Sequence, residues 1–182
     1  LFTPCLILDR GKLDANIRKI KSIVSKQKIN FRPHLKTAKC LEITKILVKE
    51  FGPRAMVSTI EELEQLKNSG INDFLYSVAI VPNKLDRIAK NLSYDCKITV
   101  AVDNISTAKE LVSFCKSTGN RITAVIELDL DGHRSGIRPY AREQLIEIGK
   151  CLYEFDLFRG VMSHAGESYG LSKEEDINNC AK

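Results

Sequence analysis

The run Ile98-Thr99-Val100-Ala101-Val102, an amphipathic segment with Ala108, Leu111, Val112 and Cys115 on one face, and the run Ile122-Thr123-Ala124-Val125-Ile126-Glu127-Leu128 together decide the fold. A short apolar run, a segment of helical period ending before Gly119, and a second apolar run read as strand, helix, strand. The same unit repeats on both sides. Towards the N-terminus lies a strand at Phe74–Ala79, and Pro82 opens the next helix where its missing N–H costs nothing. Before it come a strand at Ala55–Ser58 and a helix from Thr59, with Thr59 and Glu62 spaced as a capping box and Gly70 as its stop. Earlier still, a strand at Ile29–Pro33 precedes a helix carrying Leu41, Ile43, Ile46 and Leu47. The first helix, Gly11–Ser25, places Leu13, Ile17, Ile20 and Val24 on one face. Towards the C-terminus, a helix with Leu145, Ile148, Leu152 and Phe155 leads to a sixth strand, Phe158–Ser163. Ser172 and Glu175 are spaced to cap another helix.

Six strand–helix units in a row predict an α/β fold built on a parallel sheet. A complete (β/α)8 TIM-like barrel takes about 250 residues. The 182 residues here hold about six units, so an incomplete barrel is expected, with an open doubly wound sheet as the alternative. No low-complexity tract or linker divides the chain, and a hydrophobic content of 43% suits one globular domain.

Composition removes several function classes. The net charge of +5 is spread along the chain rather than gathered into a basic stripe with aromatics, so no nucleic-acid partner is expected. The densest apolar stretch, Phe74 to Val81, is far shorter than the ~20 residues a bilayer requires. The opening residues show neither the charged nor the apolar region of a signal peptide. Six cysteines are widely spaced with no C-x-x-C pair, which argues against a zinc site or a disulfide framework and for a reducing, cytoplasmic setting.

Parallel α/β folds place their sites beyond the C-terminal ends of the strands. There the chain carries Arg32-Pro33-His34-Leu35-Lys36-Thr37-Ala38-Lys39, then Asp129-Leu130-Asp131-Gly132-His133-Arg134-Ser135-Gly136, then Ser163-His164-Ala165-Gly166-Glu167-Ser168-Tyr169-Gly170. All three histidines lie in these segments, and in a barrel the three would meet at one mouth. Singly, each signal has a plain structural reading. Lys36 is an ordinary surface lysine, His164 a satisfied core histidine, and Arg134 a partner for Asp129 or Asp131. Dinucleotide, Walker A and hydrolase-elbow motifs are missing.

With these segments in view, the sequence resembles the fold-type III pyridoxal phosphate enzymes, the alanine racemase-like barrels, and within them the D-threonine aldolase and D-serine dehydratase branch. Arg32-Pro33-His34-Leu35-Lys36-Thr37 is the most specific match. Thr3-Pro4-Cys5-Leu6-Ile7-Leu8-Asp9 with Leu13 and Asn16, Gly132-His133-Arg134-Ser135-Gly136, and Ser163-His164-Ala165-Gly166 with Tyr169 carry the rest. The resemblance implies that Lys36 forms a Schiff base with pyridoxal 5'-phosphate and later moves a proton. It implies that Arg134 sits near the cofactor's phenolic oxygen, that His164 lies against its ring, and that Tyr169 lines the pocket. It also implies a homodimer, residues 1–182 as the N-terminal part of the barrel, and a separate C-terminal β domain that supplies any divalent-metal ligands. No metal ligand is therefore expected in this span. Two positions depart from the branch: Ala38 and Glu167 stand where it usually carries histidine.

A lysine attacks an aldehyde only as the neutral amine, a form favoured by burial or nearby positive charge. His34, Lys39 and Arg134 are the neighbours expected to supply that charge. The implied activity is a lyase acting on D-β-hydroxy amino acids, by dehydration or retro-aldol cleavage. An amino-acid racemase and a barrel that binds the cofactor without catalysis are the alternatives.

Overall fold

The computed structural model describes residues 2–180. Five strands form one sheet: β1 (Arg54–Val57), β2 (Asp73–Ala79), β3 (Lys97–Val102), β4 (Thr123–Leu128) and β5 (Phe158–Ser163). Every neighbouring pair is parallel, and the spatial order is the chain order. A doubly wound sheet must reverse its strand order at one point to place helices on both faces. This sheet never reverses, so it is the arc of a barrel.

The helices are α1 (Arg10–Lys26), α2 (Leu41–Phe51), α3 (Ile60–Leu66), α4 (Leu85–Ala89), α5 (Ile105–Thr118), α6 (Arg142–Tyr153) and α7 (Glu174–Cys180). On the strands, Ala55, Val57, Phe74, Tyr76, Ile98, Val100, Val102, Ala124 and Ile126 alternate towards one face. They pack there against Leu63, Leu85, Ile88, Leu111, Ile148 and Leu152 of the helices, all fully buried. Repetition of such burial along the sheet, at about 25 cal/mol for each Å² of apolar area, is the main driving force for the arc.

Local signals hold most of the elements in register. Thr59 Oγ1 accepts from Glu62 N–H at 3.1 Å and Glu62 Oε2 from Thr59 N–H at 3.3 Å, so the capping box is complete. Gly70, with φ +92°, gives the left-handed turn that ends the helical run. Asn104 caps α5 by accepting from Thr107 N–H at 2.8 Å.

Three expectations are corrected. The strand at Ile29–Pro33 is reduced to one parallel bridge, His34 with Met56, on the outer side of β1. Met56 N–H donates to the Pro33 carbonyl at 2.8 Å and Leu35 N–H to the Met56 carbonyl at 3.0 Å. Pro33 has no N–H to extend the ladder, which confines such a segment to a sheet edge. Secondly, of the apolar face expected on α1 only Ile17 is fully buried, and Ile20 is exposed. Thirdly, the last helix begins at Glu174, so Lys173 rather than Ser172 precedes it.

The opposite, concave face bears Leu75, Thr99, Thr123 and Val125 and bounds a cavity of about 720 Å³ with Arg32, Asp73 and Arg159. Arg32 donates to the Asp73 carboxylate at 2.8 Å and to its carbonyl at 2.6 Å. This cavity lies at the N-terminal ends of the strands, away from the segments read as functional. It is the inside of the arc, and its position argues against a ligand site. Among the described residues no helix is long and apolar enough to cross a membrane, and all six cysteines are free thiols.

Candidate active site

Lys36 stands in the turn that follows the His34–Met56 bridge. The turn is pinned at its start by buried Leu35, whose carbonyl accepts from Lys39 N–H at 3.1 Å. The Lys36 side chain is exposed, and its amine has no hydrogen bond or ion pair among the described residues. Lys39 does not supply charge to it: the Lys39 amine pairs instead with Glu62 at 3.6 Å. Ala38 is exposed in the same turn.

His34, half-buried, is the hub of this end of the sheet. Its Nε2 lies 3.2 Å from Ser58 Oγ, just past β1, and 3.2 Å from Ser77 Oγ on β2. Burial lowers its pKa first, and the charge of Lys36 lowers it further; Glu62 opposes them, and His164 lowers it again. His164, which follows β5, is the most distant in sequence of the charged groups acting on His34.

His164 is half-buried, and its Nδ1 is enclosed without a hydrogen-bond partner. An enclosed polar atom without a partner is uncommon and marks a place where a group has yet to be satisfied. Its Nε2 lies 3.4 Å from Tyr169 Oη, and the two rings meet edge to face with centroids 5.5 Å apart. Tyr169 is otherwise exposed.

The segment after β4 folds back on its own strand. Asp129 N–H donates to the Ile137 carbonyl at 3.0 Å and Ile137 N–H to the Glu127 carbonyl at 2.9 Å. Arg134 lies at the exposed tip. Neither suggested partner engages it. Asp129 accepts from Gly132 N–H at 2.8 Å and faces Arg138 at 3.8 Å. Asp131 accepts from the backbone N–H groups of Gly166 at 2.8 Å and Glu167 at 3.3 Å, tying the β4 and β5 segments together. His133 and Glu167 stand 3.7 Å apart over this tie, both largely exposed, so the pair adds little. Arg134 therefore has no bonded partner among the described residues, and none joins it directly to Lys36.

Sequence reasoning passed over Glu127. It is buried on β4, and burial pushes its carboxyl above the usual range, against the hydrogen bond from Ser135 Oγ at 3.1 Å and the charge of Arg134. The sign was a lone carboxylate within the run Ala124-Val125-Ile126-Glu127-Leu128. Ser58 and Ser77 left no comparable trace. Among the described residues no group of three or more His, Cys, Asp or Glu is arranged to hold a metal ion.

The alanine racemase N-terminal domain model matches residues 8–181. The chain belongs to that family. Its members are fold-type III pyridoxal phosphate enzymes with TIM-barrel-like folds. D-threo-3-hydroxyaspartate dehydratase of Delftia sp. (strain HT23) is 30% identical over 183 residues, covering all of this chain and 48% of that enzyme. Its solved structure superposes with a TM-score of 0.93 at 31% identity, again over 100% of this chain and 48% of that one. D-serine dehydratase of Dictyostelium discoideum is 30% identical over 196 residues, covering 100% of this chain and 49% of that enzyme. An alanine racemase-like protein from Idiomarina loihiensis matches with a TM-score of 0.89 at 36% identity, over 100% of this chain and 48% of that one. The chain thus spans about half the length of the curated relatives it matches. The sequential parallel arc is what this family predicts, and the lysine turn lies within the matched span.

Proposed function

We propose that the full-length protein is a pyridoxal phosphate-dependent lyase acting on D-β-hydroxy amino acids, of the aldolase or dehydratase type, with Lys36 as its cofactor-holding residue. One observation carries the reading. At the C-terminal end of a barrel arc, in the turn after the His34–Met56 bridge, stands a lysine amine without a partner among the described residues. The donor set fits the cofactor. Lys36 offers an amine and Arg134 a cation for an anionic oxygen, each without a bonded partner among the described residues, and half-buried His164 offers a ring face.

Lys36 would hold the cofactor and afterwards take or return the proton at the substrate Cα. Arg134 would face the phenolic oxygen, His164 would lie against the ring, and Tyr169, fixed at His164 Nε2, would line the pocket. When bound, pyridoxal phosphate supplies an electron-withdrawing ring that stabilises the negative charge left at Cα as a bond to it breaks. The lysine acts as a nucleophile only as the neutral amine. Residues outside this span would complete the phosphate cradle and hold any divalent metal. The free thiols agree with a reducing, cytoplasmic compartment, and the full-length protein would act as a homodimer.

Turnover tests the reading. Full-length protein supplied with pyridoxal phosphate and a divalent metal is expected to consume D-threonine, D-serine or D-threo-3-hydroxyaspartate. Dehydration releases water and, after hydrolysis, ammonia and a keto acid; retro-aldol cleavage releases glycine and an aldehyde, which carries a carboxylate when the substrate is 3-hydroxyaspartate. Chelation of the metal is expected to stop either. If all three substrates remain untouched by the loaded protein, the lyase reading is wrong.

A further inference from the structure

We propose that His34 is a positioning residue for Lys36: its neutral imidazole, held in one tautomer, fixes the peptide from which the lysine side chain departs. The proposal rests on Lys36 being the cofactor-holding residue.

The hydrogen-bond directions decide the tautomer. Lys36 N–H donates to His34 Nδ1 at 3.3 Å, so Nδ1 keeps its lone pair and the ring proton belongs to Nε2. Ser77 Oγ donates its own hydrogen to the Val57 carbonyl at 3.1 Å, leaving the oxygen to accept from His34 Nε2–H at 3.2 Å. Ser58 Oγ, also at 3.2 Å, offers a second acceptor. A chain of donors therefore runs from the Lys36 peptide through the imidazole and Ser77 to the backbone of β1. It is not a hydrolytic Ser–His pair, because the second ring nitrogen meets a backbone N–H where such a pair places a carboxylate. Leu35 N–H and Lys39 N–H are held by backbone bonds on either side, and His34 takes the Lys36 N–H between them.

The arrangement holds only while the imidazole is neutral. The charged groups facing it are Lys36 in its own segment, Glu62 on α3 and His164 beyond β5. Burial leads in lowering the pKa from its ordinary 6.5, with Lys36 and His164 adding to it and Glu62 opposing. The neutral form, and with it the Lys36 bond, is present above that lowered value. It is lost as pH falls through it, on the acid side of 6.5.

The test follows formation of the borohydride-reduced pyridoxyl adduct on Lys36 of the full-length protein between about pH 5 and 8. His34→Ala is expected to slow it about tenfold, the scale of one lost hydrogen bond. His34→Asn, whose side-chain oxygen stands near the Nδ1 position, is expected to recover most of that loss. Its ratio to wild type should rise on the acid side, because the Asn side-chain oxygen has no proton to gain and remains an acceptor where the imidazole stops being one. His34→Gln reaches the serines but not the Lys36 peptide, and is expected not to recover. If His34→Ala does not fold, the Asn-to-Gln comparison decides in the same way. Asn no faster than Gln, or a flat Asn-to-wild-type ratio, overturns the proposal. Lys36 unlabelled in the wild type would instead sink the cofactor reading, and this inference with it. Labelling of wild type and His34→Ala alike at every pH would sink the His34 inference alone.

Discussion

Lys36→Ala in the full-length protein is expected to lower turnover on the order of 10⁴-fold or more, as loss of a covalent catalytic group does. The protein should stay folded, since the side chain is exposed and its amine has no hydrogen bond or ion pair among the described residues. Surface changes of that kind usually shift stability within about ±0.5 kcal/mol. Lys36→Arg separates charge from nucleophilicity. Arginine keeps the positive charge beside His34 but never becomes the neutral amine, so it is expected to be as inactive as alanine. Initial rates and melting curves of wild type and both variants provide the check. An active Lys36→Arg protein would show that position 36 serves only as a cation.

Gly136→Ala is expected to be the most damaging single methyl group in the candidate site. Gly136 has φ +118°, and an added Cβ would lie 2.7 Å from Asp129 N, 2.8 Å from the Leu128 carbonyl carbon and 3.0 Å from Glu127 O. All three are backbone atoms at the end of β4 or just past it, where the segment folds back, and none can turn aside. Backbone strain of about 1–3 kcal/mol and overpacking of similar size suggest a loss of roughly 2–5 kcal/mol. For a chain of this length that lowers Tm on the order of 10 °C. The damage should extend to chemistry. Relief of the clash must open the Ile137 pairing with Glu127 and Asp129, which presents Arg134 at the segment's tip. Calorimetry and turnover of the loaded full-length variant test both effects; an unchanged Tm would show that the segment is free to move.

Much of the arc was written locally. Apolar runs, the Thr59–Glu62 box and the position of Gly119 located the strands and helices from Ala55 onward within a residue or two. The edge was harder to read. Ile29–Pro33 has the composition of a strand, but pairing depends on N–H groups and a neighbour, and proline at its end leaves one bridge. The site divides similarly. Lys36, Arg134, His164 and Tyr169 could be named because each follows a strand or stands in a short motif. The partners of Asp129 and Asp131 could not be read, because the fold-back of the segment after β4 and the tie to Gly166 are tertiary. The His34–Ser58–Ser77 group joins residues 24 and 43 positions apart, a separation that no local pattern encodes.

Mapping the pyridoxyl adduct tests the central claim most directly. Full-length protein is incubated with pyridoxal phosphate, reduced with borohydride, digested, and read peptide by peptide in the mass spectrometer. A single adduct on Lys36 is the predicted result; an unlabelled Lys36, or label scattered over lysines such as Lys12, Lys39 and Lys84, would contradict it.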